Sequence, residues 1–501
     1  MKYSEAEKKQ LSSYVSNLER NVYTIFNLPE EVIAVIFAYV SRSPLGFREN
    51  LLHLLTRDEW VHEGGNQRLF SETAKRFHER WVVGYGHSSV AEHAVAHIGV
   101  EKISRLASAE LELATSFNSF TEYSQRYQRP RRGGYVVPPE LEDEPALLGA
   151  FHELQEQAFA LYENCCQQLL SFLLREESPA QGETEKAFLS RVEKLAFEDA
   201  RYALTLATHT NLGLTANGRS LRDTLVVLLS SSFAECRRLA KELEQEGSLI
   251  IPTLLRHVKP SPYLQQTPRH LQEQLSALLP DTAAVGVDGA HEPEATLHSF
   301  CTYESALDQL MLSLLTAHAG TSQASAEQIL KEWTRGQKEE VIERALRDLT
   351  AFENPLPVFE QLHYRLDLTL SEANWHQLLR HNRKTHFYAA GPSFASGYTV
   401  PPRLLQAGLA EPFERFMALA KETGEKIGAC APAAAAYCVT NAHRRRISAS
   451  ASLWELYHLI NLRTTPEAQW DIRQVFEQIH QQLLCSHPVL GRYAKRRNRT
   501  D

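Results

Sequence analysis

The sequence predicts an α+β fold present twice in tandem, on three observations. First, "YVVPPEL" at 135–141 returns as "YTVPPRL" at 398–404. The copies stand 263 residues apart in a chain of 501, about half its length, as a duplication requires. Second, upstream of each copy a strand-like stretch runs into a helix-like one. Third, downstream of each copy, "ARYALTLATHTNLGLTANGRSL" (200–221) lies on "AAYCVTNAHRRRISASASLWEL" (435–456) without a gap.

Composition sets the outer limits. A chain of 501 residues exceeds one ordinary core, so two or more domains are expected. Hydrophobic content of 43% and charged content of 23% are those of a soluble globular protein. No apolar run reaches the ~18 residues of a membrane span. The opening "MKYSEAEKKQLSSYV" has no apolar signal core and reads as mature cytoplasmic sequence. A net charge of -8 argues against a general nucleic-acid binder. The basic runs "RRR" (444–446) and "KRRNR" (495–499) read as solvated surface or frayed tail. Neither a membrane nor a nucleic-acid partner is expected.

The seven cysteines, an odd number, form no C-x-x-C pair. They suggest buried free thiols in a reducing compartment, with no disulfide framework and no metal site. Neither G-x-G-x-x-G nor G-x-x-x-x-G-K-[ST] is present, so a nucleotide would have to be held by side chains.

The elements follow in order. In "SSVAEHAVAHIGVEKISRLASAELELAT" (88–115), a strand is predicted near 94–102 and a helix opened by Ser104. The parallel text is "PLPVFEQLHYRLDLTLSEANWHQLLRHN" (355–382), with Glu92 and Glu360 at the same place. "HYRLDLTL" alternates, putting Tyr364, Leu366, Leu368 and Leu370 on one face of a strand. Ser371 is the expected N-cap of the helix "EANWHQLLRH". On that helix Gln377, Arg380 and His381 share a face, while Trp375, Leu378 and Leu379 turn toward a core. The polar segment near 175–188 reads as a loop insertion into the first copy. It shrinks the separation of the copies from 268 residues at Glu92/Glu360 to 235 at Arg201/Ala436. A Pro-, Gly- and Asp-rich stretch near 280–294 marks the joint. The expected domains are therefore 1–258 and 296–501, with a linker at 259–295.

These strings, in this order, resemble the flavin-dependent thymidylate synthases. Gly86, His87, Ser89, Glu92 and His93 match that family's Gly-His-x-Ser-x-x-Glu-His. Ser124, Gln125, Arg126 and Tyr127, after Glu122, match the S-x-R-Y end of its R-H-R-x7-S-x-R pattern. Ala200-Arg201 and Asn217-Gly218-Arg219-Ser220-Leu221 match A-R-x-x-L and N-A-R-x-L. In the second half "LR" (462–463) and "AQWDIR" (468–473) match the last helix, and Gln377, Arg380 and His381 match Q-x-x-R-H. The departures are complementary. At the R-H-R place the first half has Ala114, Thr115 and Ser116; the second has Asn382 for the final Arg, with Arg383 adjacent. The second half reads "FASGY" for S-x-R-Y, Ala436 for Arg201, and Ser452 and Trp454 for Asn217 and Arg219.

The resemblance implies, for each half, a small twisted sheet flanked by helices. It implies a site furnished by several chains of a homotetramer, so a fused pair can keep one composite site while the reciprocal one decays. A homodimer of fused chains is the expected assembly. The implied reaction is reductive methylation of dUMP to dTMP, with methylenetetrahydrofolate as carbon donor, FAD as cofactor and NADPH as reductant. Glu122, Ser124, Gln125, Arg126, Arg201, Arg219, Gln377 and Arg380 would bind dUMP. Arg219 would also stabilise charge on the pyrimidine as a catalytic group. His87, Ser89, Glu92, Asn217, Arg380, His381, Asn382 and Arg383 would bind FAD. Arginine suits a phosphate because its fork matches two oxygens at once.

Plainer readings stand beside these. A lone Arg in an alternating segment is usually surface charge, "QLLRH" fits any amphipathic helix, His87 and Glu92 fit a helix cap, and His93 fits a satisfied core histidine. A diverged homologue that binds flavin or a pyrimidine nucleotide without thymidylate synthase turnover is the alternative function; a scaffold using the basic tail is a third.

Overall fold

The computed structural model describes residues 3–39, 43–57, 60–62, 69–71, 75, 88–279 and 288–497. His87, residues 280–287 of the expected joint and the end of the basic tail lie outside the described residues. The chain divides into two compact units. The first gathers residues 1–103, 110–123 and 210–279; the second gathers 104–109, 124–209 and 280–501.

In the first unit a short hairpin, β1 (Trp60–His62) and β2 (Leu69–Ser71), precedes a three-stranded sheet. The sheet holds β3 (Val95–Ser104), β4 (Ser119–Glu122) and β5 (His209–Asn217) in the order β3-β5-β4. β5 ends at Asn217, whose side chain accepts from the Ser220 amide while the Ser220 hydroxyl accepts from the Asn217 amide. This reciprocal capping box opens the helix Gly218–Leu229. Gly218 is needed there, because a Cβ would stand 2.6 Å from Leu254 Cδ1 and 3.1 Å from the Ala91 carbonyl oxygen. The segment read as a linker contains a helix, Pro262–Leu278, that buries none of its residues.

In the second unit β6 (Glu294–Ser299), β7 (His363–Ser371), β8 (Thr385–Ala389) and β9 (Arg444–Ser452) form an antiparallel sheet in the order β6-β7-β9-β8. Tyr364, Leu366, Leu368 and Leu370 are buried along one face of β7, as their alternation predicts. β6 is an edge strand. Gln478 and Gln482 accept from the amides of Ala295 and Leu297, satisfying backbone that an open edge would leave to aggregate.

The long helix Pro145–Glu176 packs on Ala410–Gly428, its counterpart in the second copy. The insertion predicted as a loop near 175–188 is a loop at its centre, with helix at both edges. Only 177–184 is irregular, tied down by Arg191 to Glu177 and Glu183, and Thr184 caps the helix Glu185–Ala200.

The repeat is explicit in the elements. A 3-10 turn at Arg201–Ala203, β5 and the helix from Gly218 recur as the turn Ala436–Cys438, β9 and the helix from Leu453, each shifted by 235. Inside the second unit the segments after the two turns pair antiparallel at Thr205↔Thr440. The amide of Leu206 donates to Val439 at 2.8 Å, and that of Asn441 donates to Leu204 at 2.8 Å. These bonds exchange when the copies are exchanged, so a local twofold axis runs between equivalent threonines.

One sequence reading fails here. Arg444 and Arg445 are 2% and 6% exposed, not solvated. β9 is an interior strand, and Arg445 falls on the face of Ile447, Ala449 and Ala451, where Glu372 receives it in a bidentate pair.

Candidate functional site in the second unit

Ser371 closes β7, and its hydroxyl accepts from the Asn374 amide, opening the helix Glu372–Leu378. The first two helical amides, Glu372 and Ala373, donate to the carbonyls of His443 and Asn441 beside the local twofold. A 3-10 turn, Leu379–His381, completes the predicted Q-x-x-R-H segment. Trp375, Leu378 and Leu379 are fully buried, as expected.

Gln377 from the second copy and Arg201 from the first meet on one acceptor. Arg201 Nη2 donates to Gln469 Oε1 at 2.9 Å, and Gln377 Nε2 donates to the same oxygen. Gln377 Nε2 also donates to Ala373 O at 3.1 Å, so the amide nitrogen is engaged inside the protein. Gln377 Oε1 makes no hydrogen bond with the described residues.

Arg126 Nη2 pairs with Glu198 Oε2 at 2.6 Å and donates to the Glu467 carbonyl at 3.2 Å, while its buried Nε has no hydrogen-bond partner. Gln125, 1% exposed, accepts from Asn441 Nδ2 at 3.2 Å, and its own Nε2 is buried without a partner. Ser124 Oγ accepts from the Arg126 amide at 3.4 Å.

Cations crowd this place, with Glu198 set against Arg126 and, through its charge, against Arg201. Burial, then the neighbouring Arg380 and Arg126, lowers the Arg463 pKa to about 10. Burial likewise lowers Arg201 to about 10, and Arg126 and Arg105 press on it further. Neither Arg201 nor Arg463 pairs with a carboxylate among the described residues. Two buried guanidiniums without a carboxylate partner of their own, beside further arginines, favour an anion in their midst.

His381 does not join that exposed face. It turns inward, where its Nε2 accepts from Arg463 Nη2 at 2.7 Å and its Nδ1 lies 4.0 Å from Glu455. Arg380 and Arg383 are exposed and Asn382 is half-buried. In the reciprocal position of the second copy, Glu360 accepts from Ser452 Oγ at 2.6 Å and from Lys384, whose ammonium lies 3.7 Å from the Trp454 ring centroid. Trp454 thus fills the place equivalent to Arg219 with a packed indole.

The remaining predicted residues lie in the first unit. Arg219 Nη1 pairs with Glu92 Oε1 at 2.6 Å, both about half exposed. Asn217 is spent on its helix cap, and Ser89 is exposed on a 3-10 turn, Ser88–His93. Glu122 is buried and accepts from Thr210 Oγ1 at 3.1 Å. His93, expected in a core, is exposed and tilted against Phe37.

Gln469 and Arg463 lie within "AQWDIR" and "LR", strings that by themselves give neither residue a role. Their signal was there: the motif strings matched, and only a fold could show that they stand between Arg201 and the Q-x-x-R-H segment. The cysteines behave as read where buried, with burial raising Cys165 and Cys438 to about 12; Cys430 and Cys485 are exposed.

These burials set a pH dependence. Burial raises Asp199 to about 6 and Glu455 to about 7, and raises Glu31 and Asp471 as well, so their contribution is present in acid and lost as pH rises through the raised values. Burial holds His376, His381 and His443 neutral, His443 at about 3. The unfolded chain protonates such imidazoles below their ordinary 6.5, so this contribution is present above that value and lost as pH falls. His458, His480 and His487 are lowered in the same direction, and the imidazoles outnumber the raised carboxylates. The urea midpoint should therefore drop between pH 7 and pH 5; an equal or higher midpoint at pH 5 contradicts the assignment.

Comparison with known proteins gives the family. The family profile described as thymidylate synthase complementing protein matches residues 26–253 and again 305–489. The chain belongs to that family, the flavin-dependent thymidylate synthases, and carries its fold in two tandem copies. A UPF0159 protein of Chlamydia pneumoniae is 24% identical over 508 residues, covering 98% of this chain and 94% of that protein, so it spans both copies. A flavin-dependent thymidylate synthase of Clostridium tetani is 27% identical over 46% of this chain and 83% of its own length. Among solved structures, thymidylate synthase X of Helicobacter pylori with FAD and dUMP covers 40% of this chain and 99% of its own, at 16% identity and a TM-score of 0.31.

Proposed function

We propose that the chain binds a pyrimidine nucleoside monophosphate at the second-unit site and catalyses reductive methylation of dUMP to dTMP. Methylenetetrahydrofolate is the carbon donor, FAD the cofactor and NADPH the reductant. The observation that carries this reading is the shared acceptor Gln469: Arg201 of one copy and Gln377 of the other are bonded to the same oxygen. Complementary losses in the two copies then leave one composite site rather than two ruined ones.

The side chains fit such a ligand. Arg126, Arg201, Arg380 and Arg463 supply cations for a phosphate near -2, and the buried Arg126 Nε and Gln125 Nε2 supply donors without partners. Gln377 Oε1 offers an acceptor of the kind a pyrimidine ring N–H seeks. FAD also carries a diphosphate, and the same cationic surface through Arg380 and Arg383 suits it; bound FAD would supply the hydride. The chain's own part is to bind, orient and stabilise charge. Arg219, paired with Glu92 in the first unit, keeps its proposed role at the pyrimidine, with Glu122 and Ser124 as further dUMP residues. His87, Ser89, Glu92, Asn217, His381 and Asn382 remain proposed on the flavin side. The repeat boundaries 1–258 and 296–501 and a homodimer of fused chains belong to the same proposal.

Tritium release from C5-labelled dUMP, with NADPH and methylenetetrahydrofolate, tests it. Purified protein carrying flavin absorbance and releasing tritium is expected. Flavin absorbance and dUMP binding without release would favour a homologue that has lost turnover, as the Ala114-Thr115-Ser116 substitution in the first copy would allow.

A further inference from the structure

We propose that Asp471 is a positioning residue: through Tyr202 it sets the direction of a buried hydrogen-bond relay that ends on Arg201 and Gln377. Asp471 is fully buried and only receives. Tyr202 donates to its Oδ2 at 2.7 Å, Ser371 donates to the same oxygen, and Asn374 Nδ2 donates to Oδ1 at 2.9 Å. Burial pushes the Asp471 pKa up, while the bonds from Ser371, Tyr202 and Asn374 and the charge of Arg201 pull toward the carboxylate, the form that three converging donors suit.

The direction of every later bond follows. The Tyr202 hydroxyl has one proton, and Asp471 takes it. Tyr202 oxygen must then accept, and Gln469 Nε2 donates to it at 2.8 Å. With its nitrogen so placed, Gln469 can turn only its oxygen toward Arg201 and Gln377. An amide reversed at Gln469 would aim N–H groups at the Arg201 guanidinium. Asp471 therefore enforces from behind, as Arg201 does from in front, which end of Gln469 the site sees, although it hydrogen-bonds neither Arg201 nor Gln377. The relay also joins the two copies, since Tyr202 belongs to the first and Asp471, Gln469 and Ser371 to the second.

The inference rests on the reading above only for the identity of the ligand. Its test is a polarity swap in the full chain: Gln469→Glu, Asp471→Asn, and both together. Gln469→Glu leaves Tyr202 between two acceptors, and Asp471→Asn sets an amide NH2 either against Tyr202 and Ser371 or against Asn374 Nδ2, so each single change should lower Tm by roughly 3–6 °C. In the double variant the relay runs backwards. The amide introduced at position 471 donates to the Tyr202 oxygen, and the Tyr202 hydroxyl donates to the carboxylate introduced at position 469. That new carboxylate still accepts from Arg201. Recovery of at least half the lost Tm is expected; a double variant as low as the summed singles overturns the relay. Binding of dUMP gives the second readout. Asp471→Asn should weaken it tenfold or more, and the double should stay weak although its Tm recovers, because a carboxylate now faces the phosphate. Affinity that simply tracks Tm in all three variants would reduce Asp471 to a structural role and overturn the proposal. If the wild type binds no dUMP, the nucleotide reading fails, while the Tm cycle still decides the relay.

Discussion

Replacing Arg445 by alanine should cost about 3–5 kcal/mol of unfolding free energy, the usual penalty for breaking a buried ion pair from one side. Arg445 and Glu372 have side chains 6% and 1% exposed, joined at 2.9 and 3.1 Å in a two-pronged bond. Arg445 Nη1 also holds the Ala390 carbonyl at 3.1 Å. Removing the guanidinium leaves a carboxylate in the core at the first turn of the helix that bears Gln377. The charge must then ionise without water or take a proton, and either is unfavourable. Replacing both partners by well-packed apolar residues, Arg445→Met with Glu372→Leu, should cost much less than the single change. Urea unfolding of the three variants measures this. A single variant within 1 kcal/mol of wild type would mean that Glu372 finds another partner.

For Arg201→Ala, dUMP affinity should fall by about 1.5–3 kcal/mol, a factor of roughly 10–150, the range for a hydrogen bond to a charged group. Arg201 is 4% exposed and already fixed by the Glu198 carbonyl and Gln469, so little entropy is lost when it meets a phosphate. Lysine would not rescue it, because one ammonium cannot serve Gln469, a carbonyl and a ligand oxygen in that fork. Calorimetric titration of dUMP into the variant decides this. Unchanged affinity in a folded Arg201→Ala protein removes the phosphate assignment.

The strand β7, the N-cap Ser371 and the buried Trp375, Leu378 and Leu379 were legible because they depend on local periodicity and capping. The same holds for the helix opened at Ser104, whose hydroxyl accepts from the Ala107 amide. The helix Glu185–Ala200 opens inside the stretch read as a loop, because its first turn is polar and exposed helix and loop share that composition. His381 was placed on the wrong side for a related reason. Spacing of i and i+4 puts it beside Gln377, but the segment tightens into a 3-10 turn at Leu379, which rotates the ring toward Arg463.

By itself the sequence determined that one fold occurs twice, where β7 and the helices after Ser104 and Ser371 begin, and which motif each copy kept. Those are properties of neighbours along a chain, fixed by periodicity, caps and repeated strings. Only the tertiary structure decided that Arg201 and Gln377, 176 positions apart in the numbering, share one oxygen of Gln469, and that Asp471 orients it. It also decided that Arg445 is core and not surface. Such outcomes depend on which elements pack together and on how a buried polar group must find a partner, and no local pattern carries that information.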